Sequence, residues 1–262
     1  MKKRFINITA VAALLMIGLG CEKKSERVAD FAPPSATQAF LKVNYASAYQ
    51  KNPSVQLKIN DVRVSNAFVY AYPFPGGGLN TQGSSDPIYF AVDPGTVKIS
   101  LSIPKFNTNT DSVAIYSGTA NLESQKYYTF HVADTGANTQ GILMNESFTA
   151  PDQDASIFKF VNLMPNLPAL DLYFGTSLVA ANIPYKGSSG TFMLLRSTPP
   201  SQWAIRPAGA ASNSTPITTY TVAPTTYSVP YQRQLTVFAR GYSTITSSSD
   251  PRRAQISLFY VR

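Results

Sequence analysis

Beyond residue 39 the chain alternates apolar and polar residues in short runs. Leu41-Lys42-Val43-Asn44-Tyr45, Val55-Gln56-Leu57-Lys58-Ile59 and Phe158-Lys159-Phe160 each put every second side chain on one face, which is the period of a half-buried strand. The stretch from Ala155 to Ile183 shows the pattern most plainly. One run ends at a corner holding Pro165 and Pro168, and a second, Leu170-Asp171-Leu172-Tyr173-Phe174, ends at Gly175. A sharply connected pair of strands is predicted there. The lysines inside the alternation, Lys42 and Lys159, are expected to point to water.

Residues 39–64 repeat this layout. Leu41 to Tyr45 match Phe158 to Asn162 at an offset of 117 residues, Val55-Leu57-Ile59 match Leu170-Leu172-Phe174 at 115, and Tyr128-Thr129-Phe130 match Leu235-Thr236-Val237 at 107. The offsets shrink in order, as they do when the first copy has longer loops. Further strands are predicted at 88–92, 97–103 and 113–116, with counterparts at 191–195, 203–206 and 218–222. Closing strands fall at 141–148 and 254–261. Turns are expected at Asn60-Asp61, Asp93-Pro94-Gly95 and Gly175-Thr176, where Asn and Gly tolerate the required backbone angles.

No long helical period follows the N-terminus. About seven short strands per copy therefore predict an all-β protein of two tandem antiparallel immunoglobulin-like β-sandwich domains, at 39–150 and 151–262, linked through 146–156. Composition agrees: 15 Tyr, 15 Phe, 19 Pro and 15 Gly favour strands joined by turns.

The first 20 residues differ. A cationic start, Lys2-Lys3-Arg4, precedes an apolar stretch from Ile6 to Leu19 that is short for a membrane span and closes on Gly18 and Gly20. This predicts a secretory signal over 1–20. Without those three cations the formal charge falls from +8 to +5. The remaining basic residues are scattered singly, which argues against a nucleic-acid partner. The one cysteine, Cys21, rules out an internal disulfide. Residues 21–38, with Pro33-Pro34 and few apolar side chains, read as a tether with a reach on the order of 20 Å.

Gly18-Leu19-Gly20-Cys21 resembles the lipobox of bacterial lipoproteins, although Gly18 departs from the usual Leu. The resemblance implies that Cys21 is the lipid-attachment residue, carrying acyl groups such as palmitate. It also implies a partner membrane reached through that lipid. Glu22 is not the Asp that retains such proteins at the inner membrane, so the outer membrane is expected, at its periplasmic face or at the cell surface.

A second resemblance rests on Phe158-Lys-Phe-Val-Asn162, the corner prolines, Leu170-Asp-Leu-Tyr173, Gly175-Thr-Ser-Leu-Val-Ala-Ala-Asn182 and Tyr185-Lys-Gly-Ser-Ser-Gly190. These are similar to the bacterial envelope family termed domain of unknown function 4397. The likeness is closer over 155–240 than over 39–135. It implies β-sandwiches, often in tandem, and transfers no catalytic residue.

Candidate chemistry is sparse. His131, the only histidine, lies in a predicted strand without the Gly-x-Ser-x-Gly elbow that would present a nucleophile, and is expected to be exposed. Asp134-Thr135-Gly136 looks like half of an aspartic-protease pair and reads as a polar turn. Asp152 and Asp154 lack the remaining pattern of a calcium loop. With one His and one committed Cys, no metal or other cofactor is expected. The glycine-rich 76–83 lacks the Lys of a phosphate cradle and reads as a loop. Asp111-Ser112-Val113 resembles an envelope O-glycosylation acceptor.

Tyrosines among Ser, Thr and Pro, namely Tyr220, Tyr227 and Tyr231, and Tyr72 beside the glycine-rich loop, are the ligand-binding candidates. They could stack on sugars or pack as ordinary strand residues. The sequence thus predicts no catalytic residue. It predicts a lipid-anchored envelope protein acting as a structural or interaction module toward an envelope protein or polysaccharide, with a glycan-binding accessory lipoprotein as the alternative.

Overall fold

A computed structural model describes residues 35–49, 51–69, 87–108, 110–221 and 232–262. Among them the chain is 55% strand, with a single 3-10 turn at Gly136–Asn138. Cys21, Tyr72, Tyr227, Tyr231 and the glycine-rich 76–83 lie outside the described residues.

The first half holds β1 (Ala39–Tyr45), β2 (Gln56–Ile59), β3 (Val62–Arg63), β4 (Phe90–Val92), β5 (Gly95–Pro104), β6 (Asp111–Leu122), β7 (Tyr127–Ala133) and β8 (Gln140–Glu146). The second holds β9 (Ala155–Leu163), β10 (Ala169–Phe174), β11 (Ser177–Pro184), β12 (Ser188–Leu195), β13 (Gln202–Pro207), β14 (Thr218–Thr221), β15 (Gln234–Arg240) and β16 (Gln255–Tyr260). The first-half sheets run β4-β1-β7-β8 and β3-β2-β5-β6, and those of the second β12-β9-β15-β16 and β11-β10-β13-β14. Adding eight to each label of the first half reproduces the second, so the two halves share one topology.

Register confirms the echo read from the sequence. Leu41 pairs with Tyr128 and Phe158 with Leu235, the same residues that the independent offsets of 117 and 107 set side by side. Each half differs from a purely antiparallel sandwich in one respect: β1 runs parallel to β7, and β9 parallel to β15. Five intervening strands separate the members of each pair, long enough for the crossover that parallel pairing needs. The predicted turns are present. Asn60 and Asp61 take φ of 49° and 65° between β2 and β3, and Gly95 and Gly175 are likewise left-handed at 109° and 63°. At the first of these only residues such as Asn, Asp or Gly sit cheaply.

Each half has its own core. Leu41, Val43, Leu57, Ile99, Leu101 and Phe130 fill the first. Phe158, Phe160, Leu172, Trp203, Val237 and Leu258 fill the second. A third cluster lies between the halves, where Val161, Leu163, Phe238, Phe259 and Val261 meet Ala46 and Ala133. The central strands β1, β7, β9 and β15 are therefore buried on both faces, and the two sandwiches belong to one compact unit.

Candidate functional site

The seam between the sandwiches encloses a cluster of ionisable side chains, among them the buried Lys42, His131 and Glu146. In β1, Leu41, Val43 and Tyr45 enter the first core, so alternation sends Lys42 and Asn44 to the opposite face. That face is covered by β15 and β16. Lys42 is consequently 1% exposed, not the solvated lysine that its alternation suggests. Its Nζ donates to the Tyr260 carbonyl at 2.7 Å and stands over the Phe259 ring, 4.1 Å from the centroid, with the Tyr89 ring at 4.9 Å. Burial lowers its pKa to about 7; Glu146 opposes the shift and Lys159 adds to it. The same burial pushes the Tyr89 phenol up.

Glu146, the last residue of β8, is embedded in this layer and does not open a solvated link. It accepts hydrogen bonds from Thr129 Oγ1 at 2.6 Å and Lys159 Nζ at 2.5 Å. Lys159 is thus an ion-paired seam residue too, and the expectation that it faces water is corrected with that for Lys42.

His131 corrects a third expectation. It is fully buried, not exposed, because the outer face of β7 lies against Phe238 and Phe259, whose ring centroids are 6.4 and 5.9 Å away. Asn44 Nδ2 donates to its Nδ1 at 2.9 Å, and its Nε2 has no hydrogen-bond partner. Burial first, then the positive charges of Lys159 and Lys42, hold its pKa well below the usual histidine value. A neutral ring enclosed in this way is a packing element that no substrate can reach.

Asp134-Thr135-Gly136 is a latch. Asp134 Oδ1 accepts from the Tyr242 hydroxyl at 2.7 Å and from the Thr135 amide at 2.7 Å. The Ser47 hydroxyl donates to its carbonyl. A turn of the first sandwich is thereby fastened to the β15–β16 connection of the second. Nothing in the sequence pairs Asp134 with Tyr242, which are 108 residues apart.

Asp152 and Asp154 are exposed, and their carbonyls accept from the Ala155 and Arg196 amides. Among the described residues no group of three or more His, Cys, Asp or Glu could hold a metal ion. Tyr220 lies half-buried against the second core, and burial raises its pKa to about 12. Its position is that of a packing residue. Asp111 is held by Lys58 at 2.8 Å, Gln56 at 2.8 Å and Ser102, and the bond to Lys58 leads in lowering its pKa to about 2. Ser112 beside it is exposed at a register shift between β5 and β6.

The β5–β6 hairpin carries a surface feature that the sequence reading missed. Its tip is tied by Lys105 N to Thr110 O at 2.8 Å and Thr108 N to Lys105 O at 3.0 Å. Phe106 is 90% exposed there. Beneath it lies an open groove of about 420 Å³, lined among others by Ser54, Arg63, Lys105, Asn107 and Thr108. A lone aromatic inside an Asn/Thr-rich turn, with no alternating apolar neighbour to pack on, was the available sign.

Fold and seam together define a non-helical double sandwich with two cores and a shared third. The model of the family described as Domain of unknown function (DUF4397) matches residues 41–173, just over half of the chain, and the chain belongs to that family. The match runs from β1 through β10, over the whole first sandwich and the opening of the second. This corrects the expectation of a closer likeness over 155–240: the match lies mainly on the first half and stops before 175–190. No curated protein matches the chain.

Proposed function

We propose that this chain is a lipid-anchored cell-envelope protein, held at the outer membrane through Cys21, whose fused double sandwich serves as a non-catalytic structural or interaction module. The observation that carries the reading is the seam. Its histidine, its buried carboxylate and two of its lysines, the groups best suited to catalysis, fasten one sandwich to the other behind aromatic walls. The short apolar leader ending at Cys21 and the polar 21–38 support the anchored half of the proposal. Metabolic labelling with an alkynyl fatty acid tests it: wild-type chain takes the label and sediments with membranes, whereas Cys21→Ser loses both. An unlabelled wild-type chain would refute the anchor.

A glycan-binding role is the second reading, favoured by Phe106 and its groove. An exposed ring beside Asn, Thr and Arg side chains can stack on a sugar face while they bond its hydroxyls. Binding on a glycan array should fall when Phe106→Ala removes the ring, and a blank array with the wild-type chain would reject the reading.

A further inference from the structure

The longest strand in the described structure, β6, has a neighbour on one side only. It is the edge of its sheet and pairs with β5 alone. Among the described residues, no backbone hydrogen bond from its other side reaches a residue outside the ladder. Alternate N–H and C=O groups of an edge strand point away from its partner and can accept another strand. Of the other edges in the first half, β3 and β4 have only two and three residues, and β8 is a seven-residue edge that β6 lies against across the sandwich, as β14 lies against β16 in the second half.

Sequence gives β6 none of the usual protection. From Ser112 to Leu122 it has no charged residue and no proline, the residues that keep edges from pairing. Its first part is irregular, with register shifts around Ser112 and Ile115. From Tyr116 to Leu122 every residue pairs in step with β5, Tyr116 to Leu101 through Leu122 to Gly95. Seven residues are a full strand. On this run Ser117, Thr119 and Asn121 are exposed.

We infer that the Tyr116–Leu122 edge pairs antiparallel with the same edge of a second copy of this chain, making one continuous eight-stranded sheet. The copy is favoured by complementarity. An uncharged run paired with itself about Thr119 sets Thr119 on Thr119 and Ser117 on Asn121, so hydroxyl and amide groups meet and no like charges do. The two-fold relation is the closed, isologous arrangement most common in oligomers. This inference is independent of the lipid anchor.

The test uses the full chain, whose only native thiol is Cys21. Thr119→Cys should give a disulfide-linked homodimer on mild oxidation, seen on a non-reducing gel and lost on reduction. Thr96→Cys, exposed on neighbouring β5, and the parent chain should not. In detergent, Thr119→Lys should lose the dimer mass in sedimentation equilibrium while its circular dichroism stays unchanged. No cross-link at Thr119, or equal cross-linking at Thr96, would overturn the inference. A Thr119 cross-link to a different protein would also overturn it, assigning the edge to a foreign strand.

Discussion

Glu146→Gln is expected to destabilise the chain by about 3 kcal/mol or more, the cost of removing one partner from a buried ion pair. The amide can keep the bond to Thr129 but leaves Lys159, and the fully buried Lys42 nearby, without a compensating negative charge. Desolvated cations are costly where no counter-charge offsets them. Chemical denaturation of wild type and variant measures the difference. A second variant separates charge from fit: Glu146→Gln combined with Lys159→Met removes an uncompensated charge and should recover most of the loss. A Glu146→Gln loss below about 1 kcal/mol, typical of exposed pairs, would show that the seam is wet in solution.

The second large effect is a rise in stability as pH increases from 7 to about 10. Lys42 binds its proton more weakly in the folded chain, at about 7, than in the unfolded one, near 10.5. Over that window the unfolded state holds the extra proton, so raising pH favours folding by at most about 1.4 kcal/mol per unit for this one group. The groups facing it are Glu146, Lys159, Tyr89 and, across the layer, His131. Burial raises the Tyr89 phenol, and it raises Tyr185 and Tyr242 to about 12. Unfolded tyrosines ionise first, so stability is lost again above pH 10. At the acid end, His131 binds its proton less readily when folded, and stability falls as pH drops through 6.5. Melting temperatures at pH 6, 7.5 and 9.5 should climb in that order, and Lys42→Met should flatten the upper part. A wild-type profile that is level or descending from 7.5 to 9.5 would contradict this account of Lys42.

The strands and their duplication were legible because a two-residue period survives in short runs and two copies were available to compare. The parallel pairing of β1 with β7 and β9 with β15 was not, because alternation carries no strand direction. The seam was not, and the reason is local. Lys42 and His131 occupy positions that in a one-sided sheet face water, and alternation cannot tell water from a second sandwich. A clue did exist in the second copy. Phe158 to Met164 is almost continuously apolar, with Val161 and Leu163 on the face opposite Phe160, which signals a strand buried on both sides. Long-range partners such as Tyr242 for Asp134 leave no mark in spacing at all. The exposed Phe106 was readable in principle, since its turn offers it nothing to pack on.

The parallel alignment of the first strand has a mechanical meaning. Force entering at residue 36 and directed along β1 would load its six pairings with β7, Phe40 through Tyr45, all at once in shear, together with those to β4. Bonds stressed side by side share the load, so tension applied along β1 would be opposed by all of these pairings together.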